Sequence, residues 1–173
     1  MPTIYEDTRQ QRGKHGTKHA WFESHGVELV RKKLDFGDYA TDGSNVCIDT
    51  KKGLQEIAAN VGAEHERFVR EIERAQREGY RIIFLIEESS FISKLSDVYL
   101  WTNGTCVRCA YHRNYQCDSV ESKCIKFKRR PMTGSTLQRI LESMQLSYDC
   151  RFELVDPGNS ARRICDLLGV QYE

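Results

Sequence analysis

The stretch Leu34–Lys52, LDFGDYATDGSNVCIDTKK, decides how this chain reads. It holds a turn, Gly37-Asp38-Tyr39, a polar loop through Asp42-Gly43-Ser44-Asn45, and an apolar-led run, Val46-Cys47-Ile48, that ends in Asp49-Thr50-Lys51. Side chains alternate along a strand, so Asp49 and Lys51 share a face, about 7 Å apart along the chain. A turn that folds Asp38 back beside them brings two carboxylates and one ammonium together. Two carboxylates can hold a hard divalent cation, Mg²⁺ or Mn²⁺, and leave positions for water and a phosphate. The lysine can then orient the attacking water or offset charge as phosphorus gains a fifth ligand. That chemistry is metal-dependent cleavage of a phosphodiester. Asp-x-Lys on a strand is common, and most such pairs are solvated ion pairs of little energetic weight, so the flanking sequence has to decide.

The totals are those of a soluble globular chain. At 173 residues it reads as a single domain, 1–173, long enough for a real core, with 39% hydrophobic and 29% charged residues. No apolar run approaches the ~18 residues that cross a bilayer, and MPTIYEDTRQQRGKHG has no apolar stretch of a secretory signal. No membrane partner is expected. Seven cysteines without such a signal point to a reducing, cytoplasmic compartment. A net charge of +1 means that any nucleic-acid surface is local.

Upstream of the central stretch, Thr3–Thr8 reads as a strand with Asp7 near its end. Arg9, Arg12, Lys14 and Lys18 follow within ten residues, either a solvated loop or one that contacts phosphates. Residues 17–24 read as a helix closed by His25-Gly26, and Val27–Leu34 as a second strand entering the Gly-Asp-Tyr turn, with 46–51 as the third. Downstream, Leu54, Ile57, Ala58 and Val61 make a helical core stripe that Gly62 interrupts. A charged helix follows over about 64–78, with Phe68, Ile72 and Ala75 inward. Arg81–Glu87, RIIFLIE, reads as a central strand buried on both faces. After an aromatic and polar stretch, Leu137, Ile140, Leu141 and Met144 mark a helix that starts near Thr133, Arg151–Val155 a strand, and Ser160–Leu168 a last helix. Strand, helix, hairpin, helix, helix, strand predicts an α/β domain: a mixed sheet flanked by helices.

Asp7-Thr8-Arg9, Gly37-Asp38-Tyr39, Asp49-Thr50-Lys51 and Gly53-Leu54-Gln55-Glu56 occur in that order, followed by His65-Glu66-Arg67-Phe68 and Ile82–Glu87. In this order they resemble the nuclease domain of the XPF family of structure-specific endonucleases. The later TGSTLQRIL and RFELV segments are similar to the tail of small phage or prophage members. Gln10 stands where the family usually has an acid, and Asp49 where it has a glutamate. The resemblance implies a restriction-endonuclease-like fold and a Mg²⁺- or Mn²⁺-dependent DNA endonuclease of DNA repair or recombination, in a bacterial or phage-infected cell. Its substrate would be branched, flapped or junction DNA, and it allows a homodimer through the later helices. It implies Asp38 and Asp49 as metal ligands with the Thr50 carbonyl as a third, Lys51 as the group that positions water, and Asp7 as a supporting carboxylate. Arg67 and Arg74 would contact the DNA backbone or orient the acids, or else pair with Glu71 or Glu78 on the helix surface.

Residues 102–131 form a Cys-rich basic insertion. Cys106, Cys109, Cys117 and Cys124 are spaced C-x₂-C-x₇-C-x₆-C, which leaves two readings: a structural Zn²⁺ that orders a segment poor in apolar residues, with His112 able to replace one cysteine, or free thiols. Seven cations (Arg108, Arg113, Lys123, Lys126, Lys128, Arg129 and Arg130) face two acids (Asp118 and Glu121), net +5. Tyr111, Tyr115 and Phe127 are interleaved with them, the composition of a DNA-contacting arm. On the DNA side the expected contacts are therefore Arg9, Arg12, Lys14, Arg67, Lys126, Lys128, Arg129 and Arg130. Cys47, Cys150 and Cys165 fall in apolar patterns and read as core, as do Trp21 and Trp101 as packing residues. Two rival functions stay open: a catalytically inactive DNA-binding or dimer-partner module, and a zinc-dependent interaction domain.

Overall fold

A computed structural model describes residues 1–11, 13–117 and 124–173. In chain order the described residues form β1 (Thr3–Asp7), α1 (Gly16–Ser24), β2 (Glu28–Lys32), β3 (Tyr39–Ala40), β4 (Val46–Lys51), α2 (Leu54–Val61), α3 (His65–Arg77) and β5 (Arg81–Glu87). Then come two short helices, α4 (Gly104–Val107) and α5 (Ala110–Arg113), and α6 (Gly134–Ser147), β6 (Cys150–Val155) and α7 (Ser160–Leu168). Turns of 3₁₀ helix lie at Leu95–Leu100 and Pro157–Asn159.

The strands make one mixed sheet in the order β2-β1-β3-β4-β5-β6. β4, β5 and β6 run parallel, β2 is parallel to β1, and β3 is antiparallel to both β1 and β4. The continuous apolar run of β5 is explained by its place between two parallel neighbours, with both faces covered. Ile82, Phe84 and Ile86 join Leu54, Ile57, Phe68, Ile72, Leu137 and Leu141 from α2, α3 and α6 in one core. Ile83 and Leu85 face the other way, into a second core with Phe22 of α1 and Ile164 of α7. Phe84 lies 4.6 Å from Phe68 and 5.2 Å from Phe152, ring centre to ring centre, so one aromatic stack ties α3 to β5 and β6. Cys47, Cys150 and Cys165 are buried core thiols, as their pattern predicts.

Local chemistry places the ends. Gly62 closes α2, and α3 presents Phe68, Ile72 and Ala75 inward. Thr133 caps α6 by accepting the Thr136 N–H at 3.2 Å, and Gly134 packs so closely on the carbonyls of Val98, Tyr99 and Trp101 that no side chain fits there. Trp21 stacks on His25 with ring centres 3.9 Å apart, and Trp101 packs against the first core. Among the described residues no helix is long and apolar enough to cross a membrane.

One expectation is corrected. The sequence suggests a hairpin between the strands at 27–34 and 46–51. Instead β2 ends at Lys32 and lies beside β1 at the sheet edge, and the two-residue β3 stands next to β4. Tyr39 is fully buried, and the backbone bonds Asp7 N to Asp38 O (2.8 Å) and Asp38 N to Ile48 O (2.7 Å) stitch the turn between β1 and β4. Burying that ring and satisfying those amides outweighs a direct hairpin.

Candidate active site

The site begins at Gly37. Its φ is +67°, and a Cβ there would stand 2.8 Å from the Ile48 carbonyl oxygen, so only glycine lets the turn press against β4. Asp38 follows immediately, and its Oδ2 accepts both the Thr50 N–H (2.8 Å) and the Thr50 hydroxyl (2.6 Å). This folds Asp38 back onto the strand that carries Asp49 and Lys51. Both bonds fall on Oδ2, so Oδ1 is the oxygen available to a cation.

Asp49 is 8% exposed, and the Lys51 ammonium lies 2.7 Å from its Oδ1. Burial pushes the Asp49 carboxyl up to about 7; Lys51 opposes this, while Asp38 and Glu71 of α3 add to it. Burial pulls Lys51 down, but Asp49, Glu56 and Asp38 together outweigh it and the net shift is upward, so the lysine stays cationic near neutral pH.

Asp7 is 2% exposed. Its Oδ2 pairs with the Arg9 guanidinium, and its Oδ1 accepts the N–H groups of Arg9 (3.3 Å) and Leu34 (3.4 Å). Arg9 also donates to the Leu34 carbonyl at 2.9 Å. Asp7 therefore pins the segment after β1, and its own N–H holds the Asp38 carbonyl.

A cleft of about 540 Å³ opens over this edge, between the β1–α1 loop and the C-terminal ends of β4 and β5. Arg9, Lys14, Lys18, Lys51 and Lys52 line it, with Glu56 and Glu87 among them. Lys18 and Glu87 form a buried ion pair, and the Ser160 hydroxyl donates to the same Glu87 oxygen. His15, also on the cleft, is pulled down by burial and then by Lys18. Sequence reasoning passed over Glu87 as a site residue. Its signal is an acid that closes the apolar run of a parallel strand, where open α/β sheets place their ligands.

The other expected DNA contacts divide. Arg9 and Lys14 line the cleft, and Arg12 lies outside the described residues. Arg67 is paired with Glu64 at 2.8 Å on the exposed side of α3. Arg74 donates to the Asp35 carbonyl at 2.9 Å and lies over the Phe36 ring, which ties α3 to the approach of the Gly-Asp-Tyr turn. Neither pairs with Glu71 or Glu78.

The donor set fits a hard cation. Asp38 and Asp49 supply carboxylate oxygens at this strand end, and Mg²⁺ is commonly held by one or two carboxylates with water and phosphate completing the shell. Among the described residues no three histidine, cysteine or acidic side chains are grouped as a metal site.

In the Cys-rich segment, Lys126, Lys128 and Arg129 are exposed and Arg130 is half-buried; Tyr115 is 97% exposed. Asp118, Glu121 and Lys123 lie outside the described residues. Cys106 lies within α4 and Cys109 immediately precedes α5, and the Phe127 N–H donates to the Cys124 sulfur at 3.3 Å. The Cys109 thiol is lowered by backbone N–H donation from His112 and then Tyr111. The Cys106 thiol is raised by burial and then by the neighbouring Cys117, Cys124 and Cys109.

A mixed sheet flanked by helices, with two carboxylates and a lysine gathered at one strand end, defines the class: an α/β fold of the restriction-endonuclease-like nucleases. The ERCC4 domain matches residues 7–165, and the chain belongs to that family, the family of the XPF nucleases. Its fold is similar to that of XPF from Aeropyrum pernix, with a TM-score of 0.58 at 19% identity over 97% of this chain and 60% of that one. It is also similar to XPF from Aeropyrum pernix in complex with DNA, with a TM-score of 0.56 at 19% identity over 98% of this chain and 64% of that one. The chain thus spans about 60% of the first of these. No curated protein matches the sequence.

Proposed function

We propose that this protein is a Mg²⁺- or Mn²⁺-dependent endodeoxyribonuclease that hydrolyses phosphodiester bonds in branched, flapped or junction DNA. The observation that carries the reading is the Asp38–Thr50 pair, which sets a second carboxylate beside the buried Asp49 and its Lys51 partner. Asp38 and Asp49 would hold the cation with the Thr50 carbonyl. The bound cation supplies Lewis-acid polarisation of the phosphate and a water of lowered pKa. Lys51, moved off Asp49 as that carboxylate turns to the cation, would donate to the attacking water or to a phosphate oxygen that gains charge. The cleft cations Arg9, Lys14 and Lys52 would hold the DNA backbone, and Lys126, Lys128, Arg129 and Arg130 would extend that contact along the insertion. A homodimer through the later helices is part of the same reading.

The test is cleavage of linear duplex, single-stranded, flap and four-way-junction DNA with Mg²⁺ or Mn²⁺, alongside Asp49→Asn and Lys51→Ala. Metal-dependent cutting that falls at least ~100-fold in both variants supports the reading. DNA binding without cutting on any substrate, indifferent to both changes, replaces it with the non-catalytic module. The direct Lys51–Asp49 contact, with that carboxyl raised to about 7, is what favours this rival.

A structural Zn²⁺ at Cys106, Cys109, Cys117 and Cys124 is a separate proposal. Its support is the backbone N–H donation to two of the sulfurs and the influence of Cys117, Cys124 and Cys109 on the Cys106 thiol, although the four sulfurs are not gathered as a metal site among the described residues. Elemental analysis of the purified chain decides it: one zinc per chain, lost in Cys106→Ser with Cys109→Ser, supports the site, and a zinc-free folded chain removes it.

A further inference from the structure

Glu6 lies on β1 one residue before Asp7, and its carboxylate is fully buried. An isolated carboxylate in such a place is strongly disfavoured, so it persists only with partners. It has three: Oε1 meets His19 Nε2 of α1 at 2.8 Å and accepts the Tyr39 hydroxyl at 3.2 Å, and Oε2 accepts from Arg31 Nη1 of β2 at 3.0 Å. The other end of the same guanidinium, Nη2, donates to two backbone carbonyls, Thr8 at 3.0 Å and Gln10 at 2.7 Å. Those carbonyls stand on either side of Arg9.

We infer that Arg31 is a positioning residue: anchored on buried Glu6, it clamps the backbone on both sides of Arg9 and so holds the basic wall of the cleft against the site. The inference rests on the nuclease reading above. The clamp is continuous with the chemistry. Arg9 is fastened to Asp7, and the Asp7 N–H holds the Asp38 carbonyl. A lysine cannot replace the arginine. It can keep the charge beside Glu6, but a single ammonium lacks the flat fork that reaches a carboxylate and two carbonyls at once. Removing the side chain altogether would leave Glu6 buried against fewer partners and endanger the fold, so the charge-conserving change is the informative one.

The experiment compares wild type and Arg31→Lys in three measurements: steady-state cleavage, DNA binding in Ca²⁺ by fluorescence anisotropy, and hydrogen exchange of the amides of residues 9–14. If the clamp positions the wall, KM and the DNA dissociation constant rise about tenfold while kcat stays within about threefold, the signature of lost uniform binding. The amides of Arg9 and Gln10 then exchange faster, while the core strands keep their protection. Wild-type KM, DNA affinity and exchange in the variant overturn the inference. So does a fall in kcat at unchanged KM with wild-type exchange, because the effect then lies in the reaction itself. Failure of the wild type to cut any DNA removes the nuclease reading instead, and the binding and exchange measurements still decide whether Arg31 holds the wall.

Discussion

The Asp38 carboxylate accepts both the amide and the hydroxyl of Thr50, at 2.8 and 2.6 Å, and this contact between residues twelve apart assembles the site. Thr50→Val keeps the side-chain shape and the amide bond but removes the hydroxyl. A hydrogen bond to a charged group contributes ~1.5–3 kcal/mol. The unfolding midpoint should fall by roughly 3–10 °C, and metal-dependent cleavage by about tenfold as the carboxylate loosens. Calorimetry and initial rates on one preparation check both; unchanged cleavage would show that Asp38 needs no such anchor.

Gly37→Ala should be costlier than its size suggests. The left-handed φ costs ~1–3 kcal/mol for a side chain, and the new Cβ would sit 2.8 Å from the Ile48 carbonyl. Backbone must move, and Asp38 moves with it. Reduced denaturant midpoint together with lost cleavage is the expected outcome, measured by urea unfolding and the DNA assay.

The buried Asp49 makes the metal-free protein pH-sensitive. Its folded carboxyl is raised to about 7, above the unfolded value of ~3.9, so the fold favours the protonated form. This contribution is complete below the unfolded value and is lost as pH rises through about 7. In chelator, wild type should therefore be less stable at pH 8 than at pH 5, and Asp49→Asn should flatten that difference. Urea titrations of both proteins at the two pH values test it; the same fall in the variant would place its origin in another group.

The insertion should show itself through salt. Each phosphate contact contributes about 0.9 to the slope of log affinity against log salt on duplex DNA. Replacing the exposed Lys126, Lys128 and Arg129 by alanine should lower that slope by roughly 2–3 and weaken binding most at low salt. A slope equal to that of wild type would put the arm away from the DNA.

Much of this architecture was legible in the residues. The apolar run of β5, the core stripes of α2, α3 and α6, and the pairing of Asp49 with Lys51 follow from periodicity or close spacing, because neighbours on one element report directly on the face they share. Tertiary structure alone decided the rest. It moved β2 to the sheet edge and put Tyr39–Ala40 in its place, because a buried aromatic ring and two stitched amides outcompete a simple hairpin. It joined Lys18 to Glu87, 69 positions apart in the chain. It also buried Glu6 among His19, Tyr39 and Arg31, which come from three different elements. A buried charge must find partners wherever the fold brings them, and neither local pattern nor spacing records which distant side chains those will be.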